Sequence, residues 1–122
     1  MRIAITAHGE SPLATVDSRF SRADYFILYD DNNNTWSSID NVQSLASTQR
    51  AGIQAGQTLA QTGAKVLITG HVTPKAFKVL QAERIDIFSI GEMKYTVEEA
   101  LTAFHSNKLT AINAPNALDI KK

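Results

Sequence analysis

The sequence predicts an α/β domain with a mixed five-stranded sheet flanked by helices, and three observations lead there. Tyr25 to Asp30 and Trp36 to Asp40, both rich in strand-forming residues, face each other across the run D-D-N-N-N-T, so they form an antiparallel hairpin. Two short apolar runs, Lys65 to Thr69 and Ile85 to Ile90, alternate with segments of helical period, as crossovers between parallel strands require. Glycine, proline and threonine stand where the helices should stop and start.

Taken in order, Arg2 to Ala7 is rich in isoleucine and alanine and fits a buried central strand. Residues 8–24 carry His8, Asp17, Arg19, Phe20 and Arg22 among glycine, proline and serine with no sustained period. This is a long loop, and such loops are usually functional or mobile. After the hairpin, Asn41 to Ala46 is a connection without a pattern. Ser47 to Thr62 is helical, with Ile53, Gly56, Leu59 and Ala60 on one face and Gly63 in the C′ position. Its small residues, Gly52, Gly56 and Ala60, suit close packing on a sheet.

The next helix should begin at Pro74 with Thr73 as its N-cap, because proline's missing N–H is an orphan at that position anyway. Ala76, Phe77, Val79 and Leu80 would face inward. Thr96 and Glu99 form a capping box for a last helix that buries Val97, Ala100, Leu101 and Phe104 and ends near Asn107. Residues 1–107 are therefore read as one domain. Residues 108–122, without periodicity, are expected to be a loosely packed tail.

A chain of 122 residues suits a single core. The absence of cysteine excludes disulfides, thiolate zinc sites and ordinary cysteine-ligated iron–sulfur clusters. A formal net charge of zero argues against a general nucleic-acid binder. No apolar run approaches the ~20 residues of a membrane helix, so no membrane partner is expected. Met1 to Ile5 enters a strand pattern at once without signal-peptide features, which leads to an expected cytoplasmic location. There is no nucleophile elbow, P-loop, dinucleotide fingerprint or paired-histidine metal motif. Ser11, His8 and Asp17 share a loop, but three polar residues in one loop predict no catalysis. The chain is not expected to be an enzyme.

If the first, fourth and fifth strands are parallel, their carboxyl ends share one sheet edge. That edge collects His8, the Gly70-His71-Val72 turn, the Gly91 to Tyr95 loop and the arginine loop. Ligands of open α/β sheets bind at such edges, and the helix start after Thr73 favours an anion, with Lys75 adding charge. A micromolar ligand needs about 8 kcal/mol, whereas one helix N-terminus supplies about 0.3 to 2. Charge-assisted hydrogen bonds at about 1.5 to 3 kcal/mol each close the gap. The expectation is that Arg19 and Arg22 supply them and that their loop folds over the ligand. The bland alternatives are concrete. Asp17, Arg19, Arg22 and Asp24 would pair with one another for about 0 to 1 kcal/mol per pair, Phe20 would anchor its loop, and His71 would bond a turn carbonyl. Met93 and Tyr95 would be packing residues, and His105 would answer the dipole of its helix.

The series D-S-R-F-S-R-A-D-Y-F-I-L-Y-D (Asp17 to Asp30), V-L-I-T-G-H-V-T-P-K-A-F (Val66 to Phe77) and Y-T-V-E-E-A-L (Tyr95 to Leu101) resembles the dinitrogenase iron–molybdenum cofactor biosynthesis family. That family includes NifX-like carriers, the C-terminal part of NifB and the orange protein of sulfate-reducing bacteria. The resemblance covers about the first 105 residues. It implies a ribonuclease H-like fold and non-covalent binding or carriage of an anionic molybdenum-containing metal–sulfur cluster, of the molybdenum–copper–sulfide or iron–molybdenum cofactor type. By position it assigns Arg19, Phe20 and Arg22 to the family's R-F-x-R loop, and Gly70, His71, Pro74, Lys75 and Ala76 to its glycine-to-proline turn. The expected cofactor-binding set is thus Arg19, Phe20, Arg22, Gly70, His71, Val72, Thr73 and Lys75, with no catalytic residue and no protein metal ligand assigned. Glycine is frequent in the family where this chain has Ser21 and Thr73. The alternative reading is a protein-interaction or regulatory module with a protein partner and no cluster.

Overall fold

A computed structural model describes residues 1–41 and 48–117. The connection expected after Asn41, the helix start expected at Ser47 and the final residues of the tail lie outside the described residues. The elements run β1 (Arg2–Ala7), β2 (Tyr25–Asp30), β3 (Thr35–Asp40), α1 (Thr48–Gln61), β4 (Ala64–Thr69), α2 (Pro74–Ala82), β5 (Asp86–Ser89), α3 (Val97–His105) and β6 (Thr110–Ala111). The sheet order is β3-β2-β1-β4-β5-β6. β1, β4 and β5 are parallel, β2 and β3 form the antiparallel hairpin, and β6 closes the far edge antiparallel to β5. The mixed α/β architecture is as expected, but the sheet departs from the five-stranded, ribonuclease H-like expectation by carrying a sixth strand. β6 escapes a sequence reading because two residues show no alternation, and pairing with Phe88 and Ser89 alone makes them a strand.

Alternation along β1 divides the core. Ile3, Ile5 and Ala7 join Val66 and Ile68 beneath Val97, Ala100 and Leu101 of α3. Ala4 faces the opposite way, with Leu67, Phe26 and Leu28, beneath Ala55 and Leu59 of α1 and Ala76, Phe77 and Leu80 of α2. Ala64 shares that second face although Val66 does not, because the β1–β4 register shifts between Arg2 and Ile3. Such a shift is what one extra residue in a strand produces. The small residues of α1 serve a purpose other than the expected close packing on the sheet. A Cβ at Gly56 would lie 2.7 Å from Val79 Cγ1, and one at Gly52 would lie 3.1 Å from Ala76 Cβ. They let α1 approach α2.

Helix ends follow the sequence reading with one exception. Gly63 takes a left-handed φ of 79° after α1. Thr96 accepts the Glu99 N–H at 3.2 Å while Glu99 Oε1 accepts the Thr96 N–H at 2.9 Å, completing the capping box of α3. Thr73 occupies the N-cap position of α2, but its side chain makes no capping hydrogen bond. No helix among the described residues is long and apolar enough to cross a membrane.

The long loop is laid down on the sheet edge by its backbone. Asp17 N–H donates to Thr6 O at 2.9 Å, Val16 N–H to Tyr95 O at 2.9 Å, and His8 N–H to Thr15 O at 3.0 Å. Past the end of β4, His71 N–H donates to Ser18 O at 2.6 Å and His71 O accepts from Phe20 N–H at 3.2 Å. Segment 18–20 thus pairs with the β4–α2 turn like a short parallel strand. Gly70 permits this, since a Cβ there would lie 2.7 Å from both Ser18 Cβ and Ser18 O.

Three outcomes are expected. Gly56→Ala should destabilise by about 1 kcal/mol in urea denaturation, overpacking of about 1 to 3 kcal/mol being partly offset by about 1 from helix propensity; Val79→Ala in the same chain should recover most of the overpacking. Thr96→Ala should cost about 1 kcal/mol. Gly70→Ala should raise hydrogen exchange at the His71 amide, by pushing the loop off the turn, well beyond any change at the Ile5 amide in β1.

Candidate functional site

The parallel strands place three segments at one edge, as their carboxyl ends require. Between them lies a depression of about 370 Å³, lined by His8, Thr15, Val16 and Ser18 of the long loop, His71 of the β4–α2 turn, and Ile90, Gly91, Glu92, Met93 and Lys94 of the β5–α3 connection. This volume lies in the range of small-molecule pockets. Its floor is apolar through Val16 and Ile90, both buried, and its rim is polar.

One buried charge organises the loop side. Asp17 is 1% exposed and accepts hydrogen bonds from the Arg19 backbone N–H at 2.9 Å and from Arg19 Nε and Nη2 at 3.1 Å each. His8 Nδ1 stands 3.4 Å from Asp17 Oδ2. The bidentate pairing, first through its hydrogen bond and then through charge, raises the Arg19 pKa above its ordinary value. It also leaves Arg19 Nη1 without a protein partner among the described residues, on a side chain that is 61% exposed. Half of the bland alternative is therefore realised: Arg19 is paired, and its charge is locally balanced. The Tyr25 pKa is raised, chiefly by hydrogen bonding to, and the charge of, Glu10.

The expected site residues are placed differently from one another. His71 is exposed and lines the depression, and its ring makes no hydrogen bond among the described residues, so it does not bond a turn carbonyl. Arg19 pairs with His71 along the backbone, while Arg22, whose N–H donates to Arg19 O at 3.3 Å, is half-buried; neither lines the depression. Phe20 is 1% exposed and stacks on Phe26 with ring centroids 5.6 Å apart, so it anchors the loop. Val72 and Gly70 are buried, Thr73 is half-buried, and Lys75 is exposed in the first turn of α2.

The backbone donors of the turn are already engaged. His71 N–H goes to Ser18 O, and Val72 N–H goes to Asn116 Oδ1 at 2.7 Å. They are not presented outward to an anion, as the strand-to-helix geometry had led one to expect. At the start of α2 the Lys75 and Ala76 N–H groups remain, because Pro74 has none and Thr73 does not cap. The loop, for its part, is already closed onto the edge.

Several lining residues were not singled out by the sequence. Thr15 and Ser18 carry no distinguishing pattern, while Glu92 and Lys94 come only as part of the Gly91 to Tyr95 loop. Met93, expected as packing, is 58% exposed on the rim; its apolar type signals burial, and only its place in an outward connection reverses that. Tyr95 does pack, half-buried, against the α3 face of the core. Among the described residues no group of three or more histidine, aspartate or glutamate side chains could hold a metal ion.

The chain resembles the apo orange protein from Desulfovibrio gigas, with a TM-score of 0.88 and 38% identity over 95% of this chain and 96% of that one. It also resembles a putative NifB protein from Thermotoga, with a TM-score of 0.83 and 29% identity over 95% and 97% of the two chains. The crystal structure of PH0822, at 19% identity and a TM-score of 0.71 over 93% and 97%, shares the fold. No curated protein matches. The model of the dinitrogenase iron–molybdenum cofactor family matches residues 1–107, which include every residue lining the depression. The chain belongs to the dinitrogenase iron–molybdenum cofactor family.

Proposed function

We propose that this protein binds and carries an anionic molybdenum-containing metal–sulfur cluster, of the molybdenum–copper–sulfide or iron–molybdenum cofactor type, without catalysing a reaction on it. Family membership supports the cargo class. The observation that carries the reading is the depression itself, where an exposed imidazole, a thioether and an ammonium group rim an apolar floor. A preassembled cluster with its own sulfides needs such a surface and no protein thiolate, and the chain has no cysteine.

Electrostatics refine the roles. Because Asp17 balances Arg19, the arginine acts as an oriented donor through Nη1 rather than as an unopposed charge. Net attraction at the depression then falls to Lys94, opposed by Glu92; Lys75 and the orphan N–H groups at the start of α2 lie outside its lining. Phe20 and Val72 contribute by holding the loop and the turn, and Gly70 by letting the two meet. Arg19→Ala is a poor probe of cargo binding, since it strips the buried Asp17 of two charge-assisted bonds and should cost about 1 to 3 kcal/mol of stability.

The test is an anaerobic titration of the apoprotein with tetrathiomolybdate, with and without copper, followed by desalting, visible absorbance and elemental analysis. Molybdenum should be retained at a fixed ratio to protein. Lys94→Gln, which removes an exposed charge, should weaken retention by about two- to fivefold, and His71→Ala should weaken it further while leaving the fold intact. Absence of retention under both conditions would remove thiomolybdate-type clusters as the cargo. Retention unaffected by either substitution would move the site away from this edge.

A further inference from the structure

The strongest unassigned feature lies in the C-terminal segment, beyond the residues that the family model matches. Asn116 makes three hydrogen bonds, all to the β4–α2 turn. Its Oδ1 accepts the Val72 N–H at 2.7 Å, its Nδ2 donates to Gly70 O at 3.0 Å, and its own N–H donates to Val72 O at 3.1 Å. One side chain, more than forty residues away along the chain, thus occupies the peptide groups on either side of His71.

The contact extends to the far wall of the depression. Gly70 O also accepts from Ser89 Oγ at 2.9 Å, and Ser89 Oγ in turn accepts the Gly91 N–H at 3.0 Å. Ser89 is itself paired with Thr110 of β6. Elsewhere the segment is held by a two-residue edge strand whose residues are both exposed, by the Ile112 N–H to Ile87 O bond at 2.9 Å and by the half-buried Ile112 side chain against the core. Asn116 is therefore the point at which this segment meets the site.

We propose that Asn116 is a positioning residue of the site. By tying down Gly70 O and both polar groups of Val72, it fixes the orientation of the turn and with it the presentation of His71 on the depression. The C-terminal segment thus holds the β4–α2 turn through Asn116, so the affinity of the site depends on a residue that acts through the turn. The link to cargo rests on the function proposed above; the fixing of the turn does not.

The experiment compares Asn116→Ala with Asn113→Ala, a change on the same segment at an exposed residue, in the full chain. Amide hydrogen exchange of the apoprotein is followed by NMR, and tetrathiomolybdate affinity is measured well below the unfolding temperature. Asn116→Ala should accelerate exchange at Val72 and His71 by about tenfold or more, as expected for the loss of its two side-chain bonds to the turn, with Ile5 unchanged. It should weaken tetrathiomolybdate binding by about three- to tenfold, and Asn113→Ala should do neither. Unaltered exchange at Val72 and His71 overturns the proposal, as does accelerated exchange with undiminished affinity. If the unsubstituted protein does not bind tetrathiomolybdate, the cargo reading fails by itself, and the exchange result alone decides whether Asn116 positions the turn.

Discussion

The structure of this edge depends on the close approach of two backbones, at Gly70 and Ser18. The 2.6 Å hydrogen bond from His71 N–H to Ser18 O forms only because no Cβ stands between them. Once it forms, Phe20 N–H reaches His71 O, the Phe20 ring meets Phe26 in the core, and a long loop without secondary structure becomes an ordered wall. Without that contact the loop would have to satisfy its polar groups in water, and the depression would lose one of its three sides.

Burial of Asp17 is the second constraint, and it sets the electrostatic character of the site. An ionised carboxylate that is 1% exposed requires partners, and it takes them from Arg19 and His8 on its own loop. The arginine that the sequence offers as a cation is thereby turned into an oriented donor. Attraction for an anion at the depression then rests on Lys94 and polar donors rather than on a strong cationic cluster, which suits the carrier role proposed above.

The far side of the same turn is closed by Asn116. Its carboxamide pairs with Gly70 and Val72 much as a neighbouring strand would, so the turn is held between the loop on one side and the C-terminal segment on the other. Every backbone polar group from Gly70 O to Val72 O is engaged within the protein. His71 is consequently presented from a rigid support.

Sequence signals alone sufficed for the hairpin, the two parallel crossovers, the capping box at Thr96 and the edge on which the candidate site lies. Each of these rests on local signals, namely alternation, helical period, turn chemistry and capping side chains, all readable within a few residues. The sequence also placed His8, His71 and the Gly91 to Tyr95 loop together, because parallel strands force their carboxyl ends onto one edge. Folding settled between readings the sequence left open, burying Asp17 against Arg19 and Phe20 in the core, and it alone turned Met93 outward and brought Asn116 to the Val72 N–H. Those outcomes depend on which atoms meet across separations of up to 46 residues, and residue type and spacing carry no record of such meetings. β6 belongs with them, since a two-residue strand exists only by virtue of the edge it pairs with.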